Sequence, residues 1–227
     1  MGTHLYGIAP TWQELKYTHM NSVKYFLATI TVRVVQRLHR TYEKINLYHL
    51  RRQFKHLGHN ALIETPSQIM NPQCMSIGDN LIIRAGVKLR AYTSYEGDPF
   101  DPVITIGHNV HLAADVVINC THRIDIGDNS GLGVGTKVMD HMHGLPDYSD
   151  LHIPIMKRVL TSKGGVIIKD NVMVGAGVVI LAGVEIGEHS FIGSNSVVTR
   201  SIPPYSIATG APARVIKTLG TSVRTAP

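Results

Sequence analysis

Cysteines, aromatic residues and long apolar runs are scarce in this 227-residue chain. Its 2 cysteines, Cys74 and Cys120, allow at most one disulfide and lack the CxxC spacing of redox and zinc motifs, which favours a reduced, cytoplasmic setting. Aromatic residues make up 6% of a chain that is 44% hydrophobic, so we expect aliphatic side chains to fill the core. The most apolar stretch, residues 25–32, lies between Lys24 and Arg33 and is too short to cross a bilayer.

Acidic residues are scarce in the first 60 positions. Only Glu14 and Glu43 accompany nine lysines and arginines there, whereas the rest of the chain is close to neutral. Each such basic residue can add about 1 kcal/mol of attraction to an anionic membrane, so one interpretation of residues 1–58 is peripheral contact with the inner face of the membrane. The alternative is that this arm packs on the rest of the chain with a solvated basic face. Nucleic acid is not an expected partner, because no aromatic-basic motif accompanies the charge.

The same arm has mixed hydrophobic periodicity. One helical face would contain Val23, Leu27, Ile30, Val34 and Leu38, although residues 28–34 also alternate as a strand would. We interpret the arm as mostly helical.

An aliphatic residue every six positions is the abundant feature. In the C-terminal half the series is Ile168, Val174, Ile180, Ile186, Ile192 and Val198, and the same phase occurs between Ile77 and Val138. A period of six fits neither a helix nor a simple strand, but it accommodates a short strand followed by a turn. Gly-Asp-Asn at 78–80 and 127–129 suits corners with positive φ. The repeat predicts stacked coils around a common aliphatic core.

This pattern, [LIV]-[GAED]-x-x-[STAV]-x, resembles that of the hexapeptide-repeat acyltransferases over residues 76–203, and is most similar to sugar and polysaccharide O-acetyltransferases. The resemblance implies a mainly β fold, a left-handed parallel β-helix with three hexapeptides per turn. It also implies a homotrimer with active sites between subunits, acetyl-CoA as acetyl donor, a saccharide acceptor and no metal.

The predicted organisation has three parts. Residues 1–60 form the basic helical arm, residues 61–205 form the β-helix catalytic domain, and residues 206–227 form a C-terminal tail. Within the tail, residues 213–219 are predicted to form a short closing helix and residues 221–227 to be frayed.

Two polar segments bearing Pro and Gly interrupt the repeat, at 94–103 and 141–165. They cannot continue the ladder and should loop out of the scaffold. Binding and catalytic residues are often carried on such loops.

The sequence Asp140-His141-Met142-His143 opens the longer loop. Acyl transfer needs a base that is neutral near pH 7, and imidazole, with an ordinary pKa of about 6.5, suits that role. The DHxH run resembles that of polysaccharide-modifying family members. The resemblance implies that His141 is the general base, that His143 orients the acceptor or exchanges roles with it, and that Asp140 fixes the imidazole tautomer. The alternative is that both histidines are loop residues bonded to backbone.

The resemblance also places an asparagine near the acceptor, and Asn119 matches it, although a corner role is equally open. A groove between neighbouring subunits would hold the pantetheine arm of acetyl-CoA. Matching by position assigns Gly175, Ala176 and Ser194 to this groove, and Thr199, Arg200, Arg214 and Lys217 to the nucleotide end. The stretch 210–214 (Gly-Ala-Pro-Ala-Arg) resembles the G-x-P-A-[RK] ending of these enzymes.

The predicted activity is acetyl transfer from acetyl-CoA to a sugar hydroxyl in bacterial surface polysaccharide, such as O-antigen or capsule. One alternative is N-acetylation of a nucleotide-linked amino sugar, and another is a non-catalytic scaffold. A γ-type carbonic anhydrase would share the fold, but the H-x-x-x-x-H pair of its zinc site is absent from the sequence. We interpret the remaining histidines of the repeat region as solvated ladder residues: His108, His111, His122, His152 and His189.

Overall fold

The computed structural model describes residues 12–144 and 151–220, so the predicted frayed end at 221–227 lies outside the described residues. The chain divides into two compact units, Met1–Asn46 and Leu47–Pro227. Helix α1 (Trp12–Arg51) occupies the described part of the first unit and extends into the second. The helical prediction is therefore confirmed and the strand alternative is wrong. No helix among the described residues is both long enough and apolar enough to span a membrane.

Short strands follow the helix in chain order. The first half comprises β1 (His56–Leu57), β2 (Leu62–Ile63), β3 (Gln68–Met70), β4 (Met75–Ile77), β5 (Ile82–Ile83), β6 (Lys88–Ala91), β7 (Ser94–Tyr95), β8 (Asp98–Pro99), β9 (Val103–Ile106), β10 (His111–Leu112), β11 (Val117–Cys120) and β12 (Arg123–Ile126). The second half comprises β13 (Gly131–Leu132), β14 (Lys137–Met139), β15 (Met142–His143), β16 (Leu160–Thr161), β17 (Val166–Ile168), β18 (Met173–Val174), β19 (Val179–Ile180), β20 (Glu185–Ile186), β21 (Phe191–Ile192), β22 (Val197–Val198), β23 (Ser206–Gly210) and β24 (Ala213–Thr218). Single 3-10 turns occur at Pro72–Cys74 and Ile155–Lys157.

Every third strand of the repeat joins the same sheet, which produces a parallel β-helix with three faces. The first face has the order β1-β4-β9-β12-β17-β20, the second β2-β5-β10-β13-β18-β21-β23-β24, and the third β3-β6-β11-β14-β19-β22. Neighbouring strands within the repeat pair in parallel, for example Ile124 with Val166. The first coil begins at His56, ahead of the boundary predicted at residue 61.

The predicted aliphatic ladders form the core. Ile77, Leu89, Ile118 and Ile180 are among the residues with essentially no exposed surface, and Leu47 and Leu50 at the end of α1 pack against the same core. Burying branched aliphatic side chains from every coil supplies the main stabilisation of a repeat fold.

Asparagines form one corner ladder. Asn80 and Asn129 adopt positive φ values of 59° and 56°, as the Gly-Asp-Asn pattern predicts. Their side chains form a chain of amide hydrogen bonds from coil to coil through Asn109, with N–O distances of 2.9 and 3.0 Å. Stacking of the coils brings these amide groups together, and each amide finds a hydrogen-bond partner in the neighbouring coil.

Both interruptions of the repeat leave the prism at the same edge, between the third and first faces, which we call the loop edge. The chain between β6 and β9 contains the hairpin β7–β8, and the chain between β14 and β17 contains the hairpin β15–β16. The two insertions are joined by hydrogen bonds from the Tyr95 hydroxyl to the Met156 carbonyl (2.7 Å) and from Lys157 Nζ to Glu96 (2.9 Å).

The predicted helix at 213–219 is wrong. Strand β24 (Ala213–Thr218) instead pairs antiparallel with β23 and closes the end of the second face. Without it, β23 would be an edge strand with unpaired backbone groups, and the β-branched Val215 and Ile216 suit a strand. Residues 211–212 form a turn after Gly210 (φ 105°) and connect β23 to β24 as a hairpin. The hairpin gives the backbone N–H and C=O groups of β23 hydrogen-bond partners that a short helix would not provide.

Candidate active site

Asp140 is a fully buried carboxylate at the loop edge. It lies beneath the tight connection between β11 and β12 and accepts the backbone N–H groups of Thr121 (2.9 Å), His122 (2.7 Å) and Arg123 (2.9 Å). The Cys120 thiol donates to the same carboxylate at 3.3 Å. Each of these donors stabilises a negative charge, so the connection forms a rigid seat for the Asp140 anion.

The pKa of Asp140 reflects this seat. Burial raises it, but the hydrogen bonds from His141, Thr121 and His122 outweigh that effect and leave the pKa below its ordinary value. Burial and the neighbouring Asp140 charge raise the pKa of the Cys120 thiol well above its ordinary value. Asp140 is therefore the anion and Cys120 a neutral donor.

His141 and Asp140 face each other although they are adjacent in sequence. The distance from His141 Nδ1 to Asp140 Oδ1 is 2.8 Å, and the imidazole is mostly buried, with 11% of its surface exposed. Because an ionised carboxylate can only accept, it selects the tautomer in which Nδ1 carries the proton. In the neutral imidazole, Nε2 is then the nitrogen that accepts a proton or a hydrogen bond. The Ser162 hydroxyl donates a hydrogen bond to the backbone carbonyl of Asp140. This bond holds the C-terminal end of the loop next to Asp140.

A cavity of about 460 Å³ lies beside His141. Asn119, His141 and His143 form part of its wall, so the structure brings these predicted residues together. The Tyr92 ring meets the His141 imidazole edge to face at 5.7 Å, and the Tyr95 ring meets that of His143 at 5.2 Å. Asn119 Oδ1 and His143 Nδ1 are buried and unpaired within the described part of the chain. A ligand in the cavity could supply the missing partners.

Known proteins share this sequence and architecture. The family described as bacterial transferase hexapeptide (six repeats) matches residues 165–200. The galactoside O-acetyltransferase of Escherichia coli is 31% identical over 165 residues, which cover 73% of each chain. The chain belongs to the hexapeptide-repeat acyltransferases. It is accordingly an acyltransferase with a left-handed parallel β-helix.

Two further matches are to an O-acetyltransferase and an N-acyltransferase. Escherichia coli WbbJ, whose assigned role is O-acetyl transfer in lipopolysaccharide biosynthesis, is 31% identical over 69% of this chain and 78% of its own length. Among solved structures, a variant of the Bacillus cereus N-acyltransferase AntD, in complex with dTDP-4-amino-4,6-dideoxyglucose and coenzyme A, superposes with a TM-score of 0.64. It is 28% identical, and the match covers 77% of this chain and 89% of AntD.

The seven residues predicted to bind acetyl-CoA do not form one cluster. Gly175, Ala176 and Ser194 lie at the edge between the second and third faces, which we call the glycine edge. A Cβ at Gly175 would lie 2.6 Å from the Ser194 backbone N, so glycine is required where the coils stack. Arg214 pairs with Thr209 near the same edge.

Thr199 and Arg200 lie instead at the loop edge, on the side of the third face that carries His141. Val138 pairs with Ile180 and Ile180 with Val198, so Thr199 lies two coils beyond Met139, about 10 Å at the usual strand spacing. Lys217 lies on β24, the outermost strand of the second face. The described residues contain no group of three His, Cys, Asp or Glu side chains that could hold a metal ion.

Sequence reasoning missed most of the cavity wall. Tyr92, Met139, Met156, Leu160 and Leu181 all line it. Tyr92 and Met139 each lie two residues before an interruption of the repeat, and that position is the one signal that could have identified them. Met156 and Leu160 come from the returning part of the loop, whose path has no periodicity to predict it.

Proposed function

We propose that this acyltransferase transfers the acetyl group of acetyl-CoA to a sugar hydroxyl, with His141 as general base. The observation that supports this most is the His141–Asp140 pair on the wall of a cavity, with Nδ1 at 2.8 Å from a buried carboxylate, which makes Nε2 the proton acceptor of the neutral imidazole. A sugar hydroxyl is not ionised near neutral pH, so its attack on a thioester requires a base in this position.

His141 Nε2 accepts the hydroxyl proton as the sugar oxygen attacks. The imidazolium that results is stabilised by the Asp140 carboxylate at Nδ1, whose own negative charge is stabilised by three backbone N–H groups. Acetyl-CoA, as the donor substrate, supplies an activated acetyl group. The proton held at Nε2 is then available to the leaving thiolate. Asn119 Oδ1 and His143 Nδ1 would bind and orient other hydroxyl groups of the acceptor.

A panel of sugar acceptors tests this proposal. Acetyl-CoA is incubated with the protein and free, nucleotide-linked or polymeric sugars, and both CoA release and the mass of the product are measured. An acetyl ester is cleaved by mild alkali, whereas an acetamide survives it, so the product distinguishes O- from N-transfer. Absence of turnover on every sugar would contradict the proposal.

N-acetylation of a nucleotide-linked amino sugar is the second candidate. It is supported by the similarity to AntD and by 50% identity over 54 residues to the dTDP-3-amino-3,6-dideoxy-alpha-D-galactopyranose 3-N-acetyltransferase of Aneurinibacillus thermoaerophilus. We favour the O-acetyl reaction, with surface polysaccharide as acceptor, because the matches to the galactoside enzyme and WbbJ extend over most of the chain.

We also propose that the protein is a homotrimer whose donor groove lies between subunits. The separation of the predicted donor residues onto two edges of the third face supports this arrangement, because the glycine edge of one copy could face the loop edge of the next. Subunit mixing tests it. His141→Ala and Ser194→Trp would each inactivate a homotrimer, the second by filling the groove with a bulky side chain at an exposed position.

Equal amounts of the two variants, unfolded and assembled together, should recover about one quarter of the wild-type activity, the fraction of interfaces that combine an intact histidine with an intact groove. The two variants assembled separately and then mixed form the control. An inactive mixed assembly would show that each subunit contains its own complete site.

For the arm, we propose contact with anionic lipid at the cytoplasmic face of the membrane. In the described part of α1, the exposed apolar residues Ile30, Val34 and Leu38 lie beside Arg33 and Arg37 at helical spacing. An arm that holds the enzyme at the membrane would suit an acceptor that is lipid-linked.

A further inference from the structure

The surroundings of Asp140 contain a thiol that the proposed mechanism does not use. Cys120 ends β11 with no exposed surface, and its Sγ lies 3.3 Å from Asp140 Oδ2 and 3.5 Å from the Val103 carbonyl oxygen. A thiol has one proton and donates it preferentially to a charged acceptor, which here is also the nearer one. Burial and the Asp140 charge raise the pKa of the Cys120 thiol, so it remains a donor throughout the physiological pH range.

Asp140 accepts more hydrogen bonds than the orientation of one imidazole requires. Oδ1 accepts from the Thr121 backbone N–H (2.9 Å), the Thr121 hydroxyl (3.2 Å) and His141 Nδ1 (2.8 Å). Oδ2 accepts from the next two backbone N–H groups of the β11–β12 connection, at 2.7 and 2.9 Å, and from Cys120. Each donor takes a share of the negative charge that His141 meets.

This sharing of charge matters to a base. A carboxylate beside an imidazole favours the imidazolium, and an imidazolium cannot accept the proton of a sugar hydroxyl. Hydrogen bonds to the carboxylate weaken that attraction, because they stabilise its charge without the imidazole. Backbone N–H groups are common to all side chains at those positions, so the Cys120 thiol and the Thr121 hydroxyl are the donors from the connection that a substitution can remove.

Resting on the proposed function, we propose that Cys120 is a positioning residue that acts on His141 through Asp140. Its thiol shares the carboxylate charge that would otherwise draw a proton onto His141 before the acceptor binds. Cys120 thereby extends to lower pH the range in which His141 can act as a base. The Thr121 hydroxyl has the same effect from the other carboxylate oxygen.

Cys120→Val tests this role, because valine fills the space of the thiol and suits a strand but has no proton to donate. The acid side of the pH profile of kcat/KM should move upward by about 0.5 pH unit, so that activity falls about 3-fold below the midpoint and is unchanged on the alkaline plateau. Cys120→Ser restores a donor and should return the midpoint toward wild type. Thr121→Val removes a donor from Oδ1 and should move the profile in the same direction as Cys120→Val.

The same change at the other cysteine is the control. Cys74 packs against the aliphatic core just before β4, which is two strands away from β12 on the first face, so Cys74→Val should leave the profile unchanged. The other titratable and charged side chains around the pair are the same in every variant: Tyr92 and His143 in the cavity, and Asp101, His122 and Arg123 beside the connection. A fall in kcat/KM by one factor at every pH, with the midpoint unmoved, would show a purely structural role and overturn the inference.

An NMR titration separates this inference from the proposed function. With ¹³C-labelled histidine, and with His141 assigned from the signal that His141→Ala removes, the titration of the imidazole is followed without any substrate. We expect its midpoint to be higher in Cys120→Val than in wild type, by the same amount of about 0.5 pH unit. Equal midpoints would overturn the inference even where acetyl transfer is observed. A raised midpoint without transfer to any sugar would support the action of Cys120 on His141 and refute the proposed function.

Discussion

Replacing Asp140 with asparagine tests the structural basis of the candidate base. Both carboxylate oxygens only accept hydrogen bonds: Oδ1 from Thr121 N and His141 Nδ1, and Oδ2 from His122 N and Arg123 N. An asparagine must place its NH₂ group at one of these two positions. There it faces either the imidazole or two backbone donors, so either orientation breaks the arrangement.

The size of the effect follows from these contacts. With the NH₂ group toward His141, the imidazole must accept a hydrogen bond at Nδ1 and carry its proton on Nε2. A protonated Nε2 can no longer take a proton from the acceptor. A fall in kcat of about 10²–10⁴-fold is expected, the usual contribution of a general base. In the other orientation the NH₂ group faces the backbone N–H groups of His122 and Arg123, which lose their acceptor, and the free energy of unfolding should fall by about 3 kcal/mol.

Steady-state CoA release and chemical denaturation measure these two quantities. Asp125→Asn is the control, because it makes the same change at a carboxylate on β12 that pairs with the Arg123 side chain at 2.6 Å and does not contact His141, so it should leave kcat unchanged. If folded Asp140→Asn retains kcat within about 3-fold of wild type, Asp140 does not set the tautomer of the base.

Three further predictions concern stability and membrane contact. The pKa of Asp140 is lowered in the folded protein, so its ionised form stabilises the fold at neutral pH and this stabilisation is lost as pH falls. The difference in free energy of unfolding between wild type and Asp140→Asn should therefore narrow only below about pH 4. A difference that does not change with pH would contradict this. Gly133→Ala should destabilise the protein by about 2 kcal/mol, because the new Cβ would lie 2.6 Å from the Ala176 backbone N. Gly131→Ala is the control, because its Cβ would meet only Met173 Sδ, at 3.4 Å. Equal denaturation midpoints for the two variants would be evidence against close stacking at the glycine edge. Pelleting with anionic liposomes should weaken as salt is raised, and binding equally well to neutral liposomes would exclude an electrostatic arm.

Much of the fold could be predicted from the sequence because the repeat is physically strict. A residue six positions on from Ile168 must again face the core, so the ladder could be extended coil by coil. The tail lacks this constraint. Strand β24 (Ala213–Thr218) pairs where the last coil has an open edge, and an open edge is a property of the assembled structure that the sequence of this segment does not encode.

The site was predictable only where it interrupts the repeat. Asp140 and His141 could be found because they end a coil, but nothing in the sequence showed that neighbouring residues would face each other. The reason is the tight connection at residues 121–123, whose N–H groups hold the carboxylate in place. The contact between Tyr95 and Met156 joins two insertions and two residues that are 61 positions apart. It depends on how the folded chain brings the insertions together, and no sequence pattern predicts it.

The proposed acetyl transfer is tested most directly by His141→Ala with donor binding and turnover measured on the same preparation. We predict that the variant binds acetyl-CoA with wild-type affinity, because His141 Nε2 acts on the acceptor, while acetyl transfer to the best sugar falls at least about 100-fold. Transfer at the wild-type rate by a folded His141→Ala protein would contradict the assignment of the base and the mechanism built on it.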